Sequence, residues 1–251
     1  MDGKNIDKNT RVVDTLALRR TAKEAKRYVV LMRLLKILAI ILIAIVAAAY
    51  AVSYFYDKYG SFTVKISKYD MINQGLTLSE TPDYTTSNSR LNADILYDMT
   101  NISGEDLPDN IDKINGSHNG EGYIAYTFYI ENEGEETINY WYSIIIDDVI
   151  KNVDEAARVM VYLNGDRRVY AKVNSYTNEP EKDTLPFYSK DEAVLEQRKD
   201  FKPGNIDKFT IVIWLEGDDP DCIDNILGGE IKMHMEIREE HKEESKNNEK
   251  E

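Results

Sequence analysis

Residues 37–56 limit the fold of this chain more than any other feature, because these 20 consecutive residues include no charged side chain. At about 1.5 Å per residue, a helix of this length spans a hydrocarbon core of roughly 30 Å. A helix in the core of a soluble protein is usually shorter and keeps a polar stripe. The segment therefore predicts a transmembrane helix.

A cleaved export signal is the alternative interpretation of the same segment. Ala49 and Ala51 have the small-x-small spacing that a signal peptidase accepts after an apolar stretch. However, 36 residues precede the apolar stretch, more than the short basic region of a simple export signal. We expect a retained signal anchor, and cleavage after Ala51, which would secrete the rest of the chain, stays open.

Charge is divided unevenly around the apolar segment. Residues 1–36 contain ten Lys and Arg against four Asp and Glu, a net +6, and the whole chain carries −14, so the remainder carries −20. Because basic residues stay on the cytoplasmic side of a membrane helix, the sequence predicts a partly helical cytoplasmic arm and an acidic external part. We expect the lipid bilayer as a partner and no nucleic acid, which binds by phosphate neutralisation.

The residues after the span predict an antiparallel β-sandwich at 57–237, followed by a charged, disordered tail at 238–251. Residues 123–130 and 137–147 form one predicted hairpin, and residues 158–163 and 167–173 form another through Asn164 and Gly165. A short helix is expected at 191–198. The single cysteine excludes an internal disulfide, so this domain relies on its hydrophobic core.

A cluster of acids follows the predicted strand at 207–215, whose core residues we expect to be Phe209, Ile211, Ile213 and Trp214. Calcium takes six to eight oxygen ligands, so such a loop is a candidate calcium site. Its spacing does not follow the known calcium-loop pattern, and a strand that ends in a capped turn explains the same residues. The candidate ligands are Glu216, Asp218, Asp219, Asp221 and Asp224.

Catalytic residues are scarce in this sequence. Cys222 has no local signature of a nucleophile, and the three histidines, His118, His234 and His241, show no zinc-helix spacing. The loop at 115–120 is rich in Asn and Gly, which fits a ligand loop or an ordinary tight turn. We therefore expect no catalytic residues and no cofactor, with calcium as the one open ion.

Four short segments carry a resemblance to a known family: the end of the apolar span at 49–55, GLTL at 75–78, YTFYIENEG at 126–134 and GGEIKMHMEI at 228–237. They are similar to the TasA and camelysin family of surface proteins of Gram-positive bacteria. Residues 213–229 also resemble the end of clostridial surface proteins. The resemblance implies a jelly-roll-like sandwich on the cell surface or in the extracellular matrix. In that family some members form biofilm fibres by donating an amino-terminal strand, and camelysin was described as a metalloprotease.

These observations favour a non-enzymatic cell-surface protein, anchored or exported, that acts in assembly or binding. A free sheet edge or a donated strand is the feature expected of an assembling subunit, because unpaired strand edges pair with other chains, and residues 61–66 are the candidate. Two alternatives stay open. One is a surface metallopeptidase of the camelysin type, and the other is a calcium-stabilised ligand-binding module.

Overall fold

The computed structural model describes residues 8–58, 62–84, 87–94, 96 and 99–240, with the side chains of 8–24 and 52–58 left out. Contacts divide the chain into two compact units, Met1–Lys58 and Tyr59–Glu251, which are described separately. His241 and most of the tail predicted at 238–251 lie outside the described residues. Arg238 and Glu239, at the start of that predicted tail, belong to a strand.

The first unit is one long helix, α1 (Lys8–Lys58), of 51 residues. It contains neither Gly nor Pro, the residues that most weaken a helix interior. Its segment Ala25–Ala51, 27 residues with a hydropathy of 2.8, is the one stretch of described helix long and apolar enough to cross a membrane, and none of it is buried. A core helix of a soluble protein is mostly buried, so the exposure of this segment favours a membrane span, a signal anchor or an export signal.

The second unit is mainly β-structure. A short helix α2 (Lys68–Gln74) and single 3₁₀ turns at Gly104–Asp106, Ile111–Lys113, Val153–Glu155 and Asp224–Ile226 complete it. The described strands are, in chain order, β1 (Thr63–Ile66), β2 (Leu76–Ser79), β3 (Arg90–Asn92), β4 (Gly116–Ser117), β5 (Tyr123–Asn132), β6 (Ile138–Ile150), β7 (Ala157–Leu163), β8 (Asp166–Ala171), β9 (Leu185–Pro186), β10 (Glu192–Phe201), β11 (Ile206–Leu215) and β12 (Glu230–Glu239).

These strands form two sheets that pack as a sandwich, which confirms the predicted fold class. The first sheet has the order β10-β6-β12-β1-β3, and the second sheet has the order β2-β5-β11-β7-β8-β9, with β4 also paired to β5. Most pairs are antiparallel, but β1 runs parallel to β12 and β8 runs parallel to β9. Both sheets are therefore mixed rather than wholly antiparallel.

Aromatic rings fill the space between the sheets. Phe209 on β11 stacks on Phe128 of β5 with ring centroids 5.4 Å apart, and meets Tyr142 of β6 edge to face at 5.1 Å. The second contact joins the two sheets. Such pairs add to the hydrophobic stabilisation that burial of the rings provides.

Strand β11 is buried on both of its faces. Phe209, Ile211 and Ile213 belong to the core between the sheets. Val212 and Trp214 point the other way and pack with Ile111, which covers the outer face of the second sheet. The expectation that Trp214 builds the same core as Phe209 is therefore wrong, although Trp214 is buried. The sequence of a strand that is covered on both faces is a continuous run of apolar residues, as it is here.

One of the two predicted hairpins is present, whereas the other hairpin and a predicted helix are not. Strands β7 and β8 pair as a hairpin, and Asn164 and Gly165 both have positive φ, at 54° and 91°, as a type I′ turn requires. Strands β5 and β6, by contrast, lie in different sheets, so the hairpin predicted for them is wrong. The helix predicted at 191–198 is wrong as well, because residues 192–198 belong to β10, which pairs with β6.

Strand β1 lies inside its sheet, between β12 and β3. Thr63, Val64 and Lys65 have pairing partners on both sides. The expectation of a free strand at residues 61–66 is therefore wrong for Thr63–Ile66, and Ser61 lies outside the described residues. A strand that is paired on both sides offers no edge to a neighbouring chain.

Helix α2 ends against the turn between β5 and β6. Gly75 ends the helix in the left-handed conformation with φ 68°, and its carbonyl accepts a 2.8 Å hydrogen bond from the Glu133 amide. Asn132 is fully buried and donates to the carbonyls of Glu136 and Phe201, both at 2.9 Å. The turn is therefore fixed to α2 on one side and to the end of β10 on the other.

We expect Gly75→Ala to destabilise the protein more than Gly165→Ala. Both glycines have positive φ, where a side chain costs about 1–2 kcal/mol. A Cβ at Gly75 would lie 2.5 Å from the Gly134 nitrogen, whereas a Cβ at Gly165 meets nothing within 4 Å. Urea denaturation of both variants measures the difference. Equal losses would mean that the turn at Gly134 moves aside without penalty.

Candidate functional site

The acids that follow β11 are held in separate structural contacts. Glu216 accepts hydrogen bonds from the Trp214 indole N–H at 3.0 Å and from the Gly104 amide at 3.1 Å. Asp218 accepts one from the Ser103 hydroxyl at 3.0 Å. Asp224 begins a one-turn 3₁₀ helix. These contacts tie the turn after β11 to the segment that covers Trp214.

Asp219 forms a buried ion pair with Arg158 of β7. The Asp219 side chain is fully buried and the Arg158 side chain is 5% exposed. The second oxygen of Asp219 accepts a hydrogen bond from the Asp221 amide at 2.7 Å, as the first residue of a turn does. Asp219 is therefore the capping residue of this turn, and its negative charge is balanced by the guanidinium.

Three acids come close together at this end of the sandwich. Among the described residues, Glu181, Asp219 and Asp221 have carboxylate oxygens within 4.8 Å of one another, close enough to share a metal ion. Two of them were sequence candidates, and Glu181 was not. Glu181 accepts a hydrogen bond from the Asn174 side chain at 2.8 Å, and Asp221 accepts one from the Ser175 hydroxyl at 2.6 Å.

The contacts of this group of acids favour a structural role over calcium binding. Calcium needs six to eight oxygen ligands, and the Asp219 carboxylate is already bound to the Arg158 guanidinium. A divalent cation placed beside a buried guanidinium would be repelled at short range. We therefore assign these acids to the structure of the turn.

We expect calcium chloride to leave the melting temperature unchanged, because Arg158 already supplies the positive charge at this site. Differential scanning fluorimetry with calcium, with magnesium and with a chelator measures this. A melting temperature that rises with calcium and no longer rises in Asp221→Ala would contradict the assignment.

Cys222 is suited to packing rather than to nucleophilic chemistry. Burial raises the pKa of its thiol, and nearby Asp219 and Glu216 raise it further, against the hydrogen bond from Asn101. Thiolate is the reactive form, so a raised pKa lowers reactivity. Cys222 packs beside the small cluster around Val153 and Leu215.

The two described histidines also have structural partners. His118 places its ring nitrogens 2.9 Å from the Gly116 carbonyl and 2.8 Å from the Ile111 carbonyl, which fixes the loop at 115–120. His234 on β12 places its ring nitrogens 2.7 Å from Asp147 and 3.2 Å from Glu236. The two acids contact opposite nitrogens of His234, so one ion cannot bind all three groups.

Glu236 is charged in this arrangement. Burial alone would raise its pKa, but hydrogen bonds from Arg238 and His234 outweigh burial and lower it. Glu236 therefore joins a row of paired charges on the outer face of the first sheet.

The buried carboxylate of Asp207 joins the two sheets. Asp207 of β11 accepts hydrogen bonds from the Tyr140 hydroxyl of β6 at 2.7 Å, from Arg198 of β10 at 3.0 Å and from the Asn164 side chain at 2.7 Å. Its side chain is 2% exposed. No local pattern predicts this role, because Tyr140, Arg198 and Asn164 lie far from Asp207 or on other strands.

A cavity of about 470 Å³ opens on the outer face of the first sheet. Its floor is β6, where Trp141, Ser143 and Ile145 alternate with the core residues Tyr140, Tyr142 and Ile144. Leu195 of β10 lies opposite Ser143, and Arg238 of β12 lies opposite Trp141. The sequence analysis did not predict this site. The available signal was Trp141, a tryptophan on the outward-facing side of a predicted strand.

Comparison with known proteins adds little to this description. No protein-family model matches the chain, and no curated protein matches it in sequence. A solved β-glucosidase from Kluyveromyces marxianus, in complex with glucose, is 14% identical over 64% of this chain and 15% of its own length, with a TM-score of 0.24. A likeness at this level carries no argument about fold or function.

Proposed function

We propose that this chain is a cell-surface protein, anchored in the membrane by α1, that displays its β-sandwich outside the cytoplasm and acts there by binding. The observation that carries the proposal is a helix whose uncharged apolar stretch, residues 37–56, follows a basic arm at 1–36 and precedes an acidic sandwich. Because basic residues stay in the cytoplasm, this order of charges favours an external sandwich. The resemblance to TasA and camelysin surface proteins supports the same location.

Binding is favoured over self-assembly by the edges of the sheets. Thr63–Ile66 is paired on both sides. Strand β10, at an edge of the first sheet, carries two register irregularities and several charged residues. Bulges and charges at an edge discourage pairing with a second chain. A partner is therefore expected on a face or a loop of the sandwich.

Binding is also favoured over catalysis. The candidate acids, Cys222 and both described histidines have structural roles in hydrogen bonds or packing, which leaves each of them less suited to bind a substrate or a metal ion. A catalytic base has to reach its substrate within hydrogen-bond distance. We therefore propose a protein without a catalytic step.

Protease accessibility tests the proposed topology. The full chain is produced in bacterial cells with a small epitope at its carboxyl end, and a protease is added to intact cells and to lysed cells. We expect digestion of the sandwich in intact cells, because the sandwich lies outside. Protection in intact cells, with digestion only after lysis, would overturn the proposal.

Intact mass and amino-terminal sequencing of chains from the membrane and from the medium show whether residues 1–51 are cleaved off. We expect the full chain in the membrane fraction. A chain that begins at Val52 in the medium would instead make the protein an exported one. Ala51→Leu is the matched control, because signal peptidase requires a small residue there and this variant should then stay in the membrane.

A further inference from the structure

The cavity on the outer face of the first sheet presents an aromatic surface to solvent. The side chain of Trp141 is on its floor and the residue is 37% exposed, whereas Trp214 is 2% exposed. Ile145 and Leu195 extend the apolar floor beside Trp141. Ligand sites are concave and mainly apolar, with a few polar groups that fix orientation, and their volumes begin near 300 Å³. A cavity of about 470 Å³ is within that range.

The polar groups around this floor include both donors and acceptors. Arg238 and Ser143 offer N–H and O–H groups, and the carboxylates of Asp191 and Glu192 accept hydrogen bonds. A hydroxyl group both donates and accepts, so a ligand with many hydroxyl groups satisfies such a mixed lining.

Charged ligands fit this lining less well. An anion meets Asp191 and Glu192 and the net −20 of the residues after 36. The same carboxylates attract a cation, but a cation placed over the Trp141 indole lies beside the guanidinium of Arg238, which is opposite Trp141 in the strand register. Arg238 is held there by its ion pair with Glu236. A neutral ligand with hydroxyl groups can contact the guanidinium and the two carboxylates at the same time, because a hydroxyl both donates and accepts.

We propose that this cavity binds sugar units of an uncharged glycan. The C–H groups of a sugar ring pack on the negative face of the Trp141 indole, and its hydroxyls bond to Arg238, Ser143 and the two carboxylates. The proposal rests on the proposed function, since it names the ligand class of the external sandwich.

Isothermal titration calorimetry tests this with the full chain in phosphatidylglycerol nanodiscs, which avoid detergents with sugar head groups. The probes are cellohexaose, maltohexaose and chitohexaose. We expect at least one of them to bind, and Trp141→Ala to weaken that binding by about tenfold or more. Tyr176→Ala is the matched control, because Tyr176 is an exposed aromatic residue that does not line the cavity.

Three results would overturn the proposal. One is the absence of binding by all three oligosaccharides at millimolar concentration, and another is equal binding by Trp141→Ala with an unchanged melting temperature. The third is binding of a tetralysine peptide that depends on Trp141 while the sugars do not bind, which would make this a cation site. These three calorimetry results are independent of the protease digestion of intact cells. Failure of this inference is therefore distinguished from failure of the proposed topology.

Discussion

Replacement of Asp207 by Ala is expected to lower the free energy of unfolding by about 3–5 kcal/mol, the usual loss when one partner of a buried charge network is removed. Asp207 connects β11 in one sheet with β6 and β10 in the other through Tyr140 and Arg198. Without the carboxylate, the Tyr140 hydroxyl is left buried without its acceptor, which adds its own penalty. Urea denaturation followed by tryptophan fluorescence measures the loss.

Two variants sharpen this experiment. Asp207→Asn keeps an acceptor oxygen and loses the charge, so we expect an intermediate loss. Asp109→Ala removes an exposed carboxylate and should change stability by less than about 0.5 kcal/mol. If Asp207→Ala lost no more than Asp109→Ala, the two sheets would be held together by their apolar core alone.

Replacement of Asp219 by Ala is expected to cost a similar amount, about 3–5 kcal/mol, because it leaves the Arg158 guanidinium buried without a counter-charge. It also removes the carboxylate oxygen that accepts from the Asp221 amide. We expect the local turn after β11 to loosen, and the thiol of Cys222, which lies in this turn, to react faster with a thiol reagent. Chemical denaturation and thiol labelling measure the two effects.

A double-mutant cycle separates the ion pair from the turn. Arg158→Met replaces the guanidinium by an apolar side chain of similar length. The double variant with Asp219→Ala should lose less stability than the sum of the two single variants, because it leaves no unpaired charge in the interior. A strictly additive result would show that the charges do not interact and would contradict the role given to Arg158.

Local sequence signals predicted part of this structure well. The apolar helix follows from length and the absence of charge, and both criteria are properties of one continuous segment. The β7-β8 hairpin follows from Asn164 and Gly165, because a type I′ turn needs positive φ at both positions. In each case the neighbours in sequence are the neighbours in space.

The sequence predictions fail where pairing with distant strands decides the conformation. Residues 191–198 contain Glu, Ala, Leu, Gln and Arg, which favour helices, but pairing with β6 draws residues 192–198 into β10. The turn after β5 gave no indication that β6 would enter the other sheet. Intrinsic helix propensity is a weak signal. Pairing with strands from distant parts of the chain overrides it.

The candidate site shows the same limit. The acids from Glu216 to Asp224 were visible as a cluster, but the partners that determine their roles come from elsewhere in the chain. Arg158 lies on β7, and Glu181 lies in the loop between β8 and β9. The Trp141 cavity needs β10 and β12 on either side of β6. Pairings over such distances are not encoded in any short motif.

The position of β12 has a consequence for how the protein is made. The last strand of the sandwich pairs with the first strand, and Thr63 lies beside His234, about 170 residues later in the chain. While the ribosome is still translating, β1 therefore has no partner on that side, and the sheet that contains both strands stays open until synthesis is nearly finished. A product that stops before Glu230 lacks the strand between β6 and β1 and cannot close the sandwich. The topology thus limits the closed fold to complete chains, and truncated ones expose unpaired edges to quality-control proteases.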